Sequence, residues 1–281
     1  MQLRFEWLAL YVAVAALYLL LAWREWSGQR PGSERAPVWH GVVLAITLVL
    51  HGTLLMHGMF ESGELRFGFA HALSATLWIT ALIVFVETMF SPSRGMFLLV
   101  LPLAAAATLL PALFPGAIVG RSSGAPLFQV HLLLAILAYS LLTIAAIHAL
   151  LMATMERRLH GDGGASAGRF GVVIDRLPPL LAMEGVLFRL ITVGFLLLTA
   201  TLVSGIFFSE QLFGRPLRFD HKTVFATASW VVFGGLLLGR LVFGWRGRTA
   251  LRWTLTGFVM LMLAYVGSHF VLEVLLGRAQ A

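Results

Sequence analysis

The chain has 281 residues, of which 59% are hydrophobic and 12% charged, with a formal net charge of +7 and no cysteine. Soluble chains carry about 25% charged residues, so this composition excludes a soluble globular protein and makes lipid the solvent. The missing cysteines exclude disulfides, zinc–thiolate centres and iron–sulfur clusters. The excess arginines lie between apolar runs rather than in a basic stripe, which excludes nucleic acid as a partner.

In chain order, the apolar runs predict eight transmembrane helices, at about 6–23, 38–60, 67–90, 96–114, 127–155, 187–208, 221–243 and 252–276. Most contain a charge-free stretch of the roughly 20 residues that a hydrocarbon core requires. The first run begins with one Arg and one Glu, and no small-residue cleavage site follows it. It is therefore expected to be a helix of the bundle rather than a signal peptide. The fourth contains Pro102 and Pro111 and is expected to be kinked or partly unwound. One long loop, 156–184, separates the fifth and sixth helices. The fold class is all-α: a polytopic bundle forming a single integral membrane domain over 1–281, without an internal repeat.

Orientation follows from the cations. With the N-terminus outside, thirteen of the twenty Arg and Lys residues fall on the cytoplasmic side and seven outside. Both termini are therefore expected outside. His51, His57, His71, His131, His221 and His269 then lie toward the outer side, and His40, His148 and His160 toward the cytoplasm. A membrane-embedded imidazole is costly unless paired, hydrated or bound. It can therefore serve as a hydrogen bond between helices or as an axial ligand of haem iron. By position, His131 and His269 form the best ligand pair, with His221 as a third candidate.

Arg215, Arg218 and Lys222 crowd the outer loop 210–222, where the topological bias disfavours positive charge. They are candidates to hold an anion such as the haem propionates, or to be neutralised by Glu210 and Asp220. Tyr139 and Tyr265 are expected to hydrogen-bond between helices, and Glu273 to orient His269. No HExxH, P-loop, GxSxG elbow or catalytically spaced carboxylate pair is present. The chain is accordingly expected not to be an enzyme.

The segment from His131 to Tyr139 and Ser140 resembles a motif of the membrane proteins of cytochrome c assembly, of the CcsA/CcmC type. Asp220, His221, Lys222 and Thr223 resemble that family's Trp-Asp-Pro-Lys-Glu-Thr region, and His269 falls where the family has its second external haem-ligating histidine. The resemblance covers about 73–276. Pro178-Pro179-Leu180, Met183-Glu184, Phe188, Trp245-Arg246-Gly247-Arg248 and Tyr265-Val266-Gly267-Ser268 resemble its YpjD-like and HemX-like branch. The resemblance implies a multi-pass protein of the bacterial inner membrane that binds haem b non-covalently through His131 and His269. Its implied partners, besides haem and membrane lipid, are other proteins of cytochrome c biogenesis or tetrapyrrole synthesis. The family's external loop is rich in tryptophan, whereas 209–220 here contains none. That difference implies an accessory, chaperone or export role rather than a complete haem lyase. The alternative is a scaffold or regulator that keeps the fold without the ligand and uses the loop 156–184 as its contact surface.

Overall fold

The computed structural model describes residues 2–27, 38–60, 65–90, 95–119, 125–160, 179–213 and 221–270. These form eight helices: α1 (Gln2–Ser27), α2 (Val38–Phe60), α3 (Phe69–Phe90), α4 (Phe97–Leu113), α5 (Pro126–His160), α6 (Leu180–Phe213), α7 (His221–Phe243) and α8, which begins at Gly247–Met262. α8 continues through a π-helical turn, Leu263–Gly267, and ends in Ser268–Phe270. Seven of the eight are long and apolar enough to cross a membrane. The exception is α4, at 17 residues. The protein is an all-α polytopic membrane bundle.

Helix length reflects two different constraints. α2 and α7, at 23 residues each, match a hydrocarbon core of about 30 Å at 1.5 Å per residue. α5 and α6 have 35 and 34 residues, roughly 50 Å each, so both extend well beyond that thickness. They consume part of the expected loop 156–184, with Pro179 immediately before α6, a position that tolerates proline because no helical N–H is required there. α4 remains one helix through Pro102 and Pro111 and is not unwound at either. It is surrounded: Phe97, Val100, Leu101, Ala104, Ala105, Thr108 and Pro111 are buried, chiefly against α1 and α3. In a membrane, such neighbours are what make helical proline tolerable.

The helices pack as two groups. α1 to α4 contact one another, as do α5 to α8, and α3 joins the groups by packing on α5 and on the end of α8. Hydroxyls and rings link them: Ser140 Oγ donates to the Thr76 carbonyl at 3.1 Å and Tyr139 Oη to the Leu261 carbonyl at 2.9 Å. Trp230 Nε1 donates to Thr199 Oγ1 at 2.8 Å, and Ser229 Oγ to the Gly257 carbonyl at 2.9 Å. Polarity is inverted relative to a soluble bundle. On α2, His40, Thr47 and His51 are buried while Val42, Ile46, Val49 and Met56 face outward. Lipid accepts apolar side chains, whereas polar ones must find partners inside.

At the end of the bundle that carries His131, two residues from each connector pair as antiparallel strands, β1 (Arg66–Phe67) and β2 (Ala117–Ile118). Gly116 makes the turn into β2 with φ of +71°, and a Cβ there would lie 2.9 Å from the backbone of Phe67 and Gly68. Only glycine fits both constraints. The pairing holds Phe67 at the edge of the gap described next.

Candidate functional site

A gap of about 50 Å³ opens where α3, α5 and the last turns of α8 meet. Its walls are Ala72, Leu73 and Thr76 of α3, Leu132, Ala135, Ile136 and Tyr139 of α5, Met262, Tyr265 and Val266 of α8, and Phe67. The lining is almost wholly apolar. Tyr139 faces inward because its hydroxyl satisfies the Leu261 carbonyl. The Tyr265 ring lies 6.2 Å from that of Phe67, and the Lys222 ammonium lies 5.8 Å from the Tyr265 centroid, a cation–π approach at the margin of the gap.

His131 occupies the second turn of α5, one residue before the wall residue Leu132. It turns toward α6, where its Nδ1 lies 3.0 Å from Ser204 Oγ. The ring lies against Gly205, where a Cβ would stand 3.3 Å from Cε1. His221 is the first residue of α7 and is exposed. His269 lies in the last turn of α8, four residues beyond Tyr265, and its side chain is outside the described residues. Arg215 and Arg218 are also outside the described residues. The fold thus brings the His131 segment, Lys222 and the turn that leads into His269 to one end of one group of helices. Among the described residues, no three His, Cys, Asp or Glu residues come together to hold a metal ion.

The remaining outer histidines do not join them. His51, His57 and His71 belong to the α1–α4 group. His51 is fully enclosed, with Nδ1 3.1 Å from Tyr18 Oη, Nε2 2.9 Å from Ser74 Oγ, and Thr108 Oγ1 at 3.3 Å. One imidazole therefore ties α1, α2, α3 and α4 together. His57 stacks on Trp7 with ring centroids 3.6 Å apart. His71 is buried beside Gly58, and among the described residues its ring bridges no side chain of another helix. Toward the opposite end, His40 Nε2 lies 3.2 Å from Glu25 Oε1.

Two groups of residues were not anticipated as partners. The first is the seat of His131, made by Ser204 and Gly205. A helical Ser-Gly pair is too common to signal one, and only the crossing of α5 and α6 makes it so. The second joins motif residues at the opposite end of the bundle. Arg240 Nη1 lies 2.8 Å from Glu184 Oε1, Arg246 Nε lies 3.6 Å from the same oxygen, and the Arg240 guanidinium covers Phe188 at 3.6 Å. Arg248 Nε bonds Glu156 Oε1 at 2.9 Å. Met183-Glu184, Phe188 and Trp245-Arg246-Gly247-Arg248 therefore form an ion-paired clamp between α5, α6, α7 and α8, far from the gap.

Comparison with known proteins agrees with this architecture. The inner membrane protein YpjD of Escherichia coli (strain K12) is 30% identical over 234 residues, covering 82% of this chain and 85% of its own. An uncharacterised 28.8 kDa protein of Azospirillum brasilense is 38% identical over 149 residues, 53% of each chain. The cytochrome c biogenesis protein CcsA of Synechococcus sp. (strain RCC307) is 30% identical over 146 residues, 49% of this chain and 47% of its own. The chain thus matches about half the length of the last two relatives. No solved structure matches. The apolar helices and the similarity to YpjD make the chain a multi-pass protein of the bacterial inner membrane. The family described as Cytochrome C assembly protein matches residues 39–276, reaching further toward the N-terminus than the expected 73–276, and the chain belongs to that family.

Proposed function

We propose that this chain handles haem in cytochrome c biogenesis, as an accessory, chaperone or export component rather than as an enzyme with a chemical step of its own. The observation that carries the reading is the convergence of His131, which turns to α6 rather than into the gap, with Lys222 and the turn that leads into His269 at one end of the α5–α8 group, beside an aromatic and aliphatic gap. Its donor set suits a haem: imidazole for the iron, apolar walls for the macrocycle and Lys222 for a propionate. The gap is small beside the roughly 300–1,000 Å³ of common ligand pockets. When bound, haem would supply an iron able to take imidazole ligands and two carboxylates. On this reading His131 and His269 serve the iron, with His221 as the alternative second ligand. Lys222, Arg215 and Arg218 serve the carboxylates.

The test is an absorption spectrum and pyridine haemochrome assay of the detergent-purified protein, before and after haem addition. A Soret band is expected, and it should be lost or displaced in His131→Ala and His269→Ala. A protein that stays colourless with haem under both oxidising and reducing conditions would leave the second reading, a membrane scaffold or regulator without ligand. The small size of the gap favours that second reading. It expects His131→Ala to be silent and changes at Arg157, Arg158 or Arg169 to disturb function.

A further inference from the structure

We propose that the turn between α7 and α8, with the first turns of α8, is a docking surface for anionic membrane phospholipid. Arg246 and Arg252 meet the phosphate headgroups, and Leu241, Val242 and Phe243 lie against the acyl chains. The surface is independent of haem handling and lies at the opposite end of the bundle from His131.

Depth comes first. α7 has the length of a hydrocarbon core and ends at Phe243, so Gly244, Trp245 and Arg246 emerge at headgroup level. Leu241, Val242 and Phe243 are strongly exposed, as side chains that face lipid are. The Phe243 ring centroid lies 6.1 Å from that of Trp245, and Trp245 lies 4.9 Å from Trp253. A row of three rings therefore runs from the exposed end of α7 to the start of α8. Indoles collect at this depth because the ring body is apolar while its N–H is polar.

The turn has a defined shape. Gly244 and Gly247 have φ of +68° and +53°, a region that side chains disfavour. Trp245 N–H donates to the Gly239 carbonyl at 3.3 Å, and a Cβ on Gly239 would overlap the indole, so the ring lies directly on the backbone of α7. Trp245 is thereby held against the helices while Arg246 is left exposed.

The charges do not balance within the protein. Arg240, Arg246, Arg248 and Arg252 bring four guanidiniums to this turn and the helix ends beside it, against the carboxylates of Glu184 and Glu156. Glu184 is committed to Arg240 at 2.8 Å, with Arg246 more distant at 3.6 Å, and Glu156 is committed to Arg248 at 2.9 Å. Arg252, one turn beyond Arg248, is exposed and has no acidic partner among the described residues. A guanidinium fork matches phosphate oxygens. An acidic segment of another protein would satisfy these charges but not the apolar run immediately before them. A phospholipid carries phosphate and hydrocarbon together, in the order in which this surface presents arginine and apolar side chains.

The experiment is native mass spectrometry of the full chain in detergent, titrated with equal amounts of phosphatidylglycerol and phosphatidylcholine of the same acyl composition. The parent protein is expected to retain phosphatidylglycerol in preference. An arginine beside an anionic headgroup contributes a factor of about five. Arg252→Gln, which breaks no ion pair, should therefore cut the preference by about fivefold, and Arg246→Gln/Arg252→Gln should remove most of it. Arg246→Lys/Arg252→Lys keeps the charge and should keep most of the preference. Arg189→Gln, at an exposed arginine of α6, should leave it unchanged. Inorganic phosphate should not displace the lipid, because it has no chains for Leu241 to Phe243 to receive. Displacement by phosphate would reduce the surface to a free-anion site, and tighter binding of poly-glutamate than of phosphatidylglycerol would assign it to an acidic protein. Either result would overturn the inference, as would a parent protein without preference or a loss in Arg189→Gln as large as in Arg252→Gln.

Discussion

His51 and His71 show how two buried imidazoles one turn apart in depth come to have opposite weight. Both are 1% exposed. His51 satisfies Tyr18 and Ser74 and lies within reach of Thr108, so its removal leaves hydroxyls of other helices without partners in a medium that offers none. Each buried polar group so orphaned costs about 1–3 kcal/mol. His51→Leu is therefore expected to lower the melting temperature of the purified protein clearly. His71→Leu removes a ring that bridges no side chains of other helices and should lower melting much less than His51→Leu. A His71→Leu variant that melts as early as His51→Leu would show that His71 has a partner of its own in the membrane.

The pieces of helix that matter most are ends rather than middles. α8 leaves the α-helical register at Leu263–Gly267, and this turn brings Tyr265 to Phe67 and to Lys222 immediately before His269. Single π-helical turns recur at functional sites because they reset which side chains share a face. At its other end, α8 is anchored by the arginine clamp. Glu184, 12% exposed, bonds Arg240, which is 29% exposed, and lies close to Arg246. Glu156, 19% exposed, instead bonds Arg248, which is 60% exposed. Solvent screening makes the second pair weak, within about 1 kcal/mol, whereas hydrogen bonds to a shielded charge are worth about 1.5–3 kcal/mol. Glu184→Gln should consequently destabilise the protein measurably, and Glu156→Gln should do so little, when chemical denaturation of the two variants is compared. Equal losses would show that the clamp acts as one network.

For the molecule as a whole, orientation in the membrane decides which compartment the His131 end faces. Successive helices alternate in direction, so the end carrying Glu6, His131 and Lys222 is opposite the end carrying Glu184 and Thr249. The distribution of arginines leads to the expectation that the first end faces outside. The native chain has no cysteine, so single introduced cysteines can be labelled without background. Glu6→Cys is expected to react with a membrane-impermeant maleimide in intact cells, and Thr249→Cys only after permeabilisation. Both positions are exposed. The reverse pattern would invert the bundle and place the His131 seat on the cytoplasmic side.

The existence, order and helical nature of the eight segments were determined by the sequence alone. In a bilayer every backbone N–H and C=O must be satisfied within its own helix, so length and hydropathy leave a single local solution. Hydropathy weakens where a helix leaves the hydrocarbon, and so α5 and α6 continue beyond their predicted ends at 155 and 187. It also says nothing about which face of a helix turns inward. The histidines near the outer side could be named in advance, but the tertiary structure assigned His51 to a four-helix junction and His131 to a seat on α6. The contacts responsible are non-local: Ser204 lies 73 residues from His131, and Arg240 lies 56 from Glu184. In lipid the pull on apolar surface is the same in every direction. These sparse polar pairs, with close packing, therefore decide how the helices are set against one another.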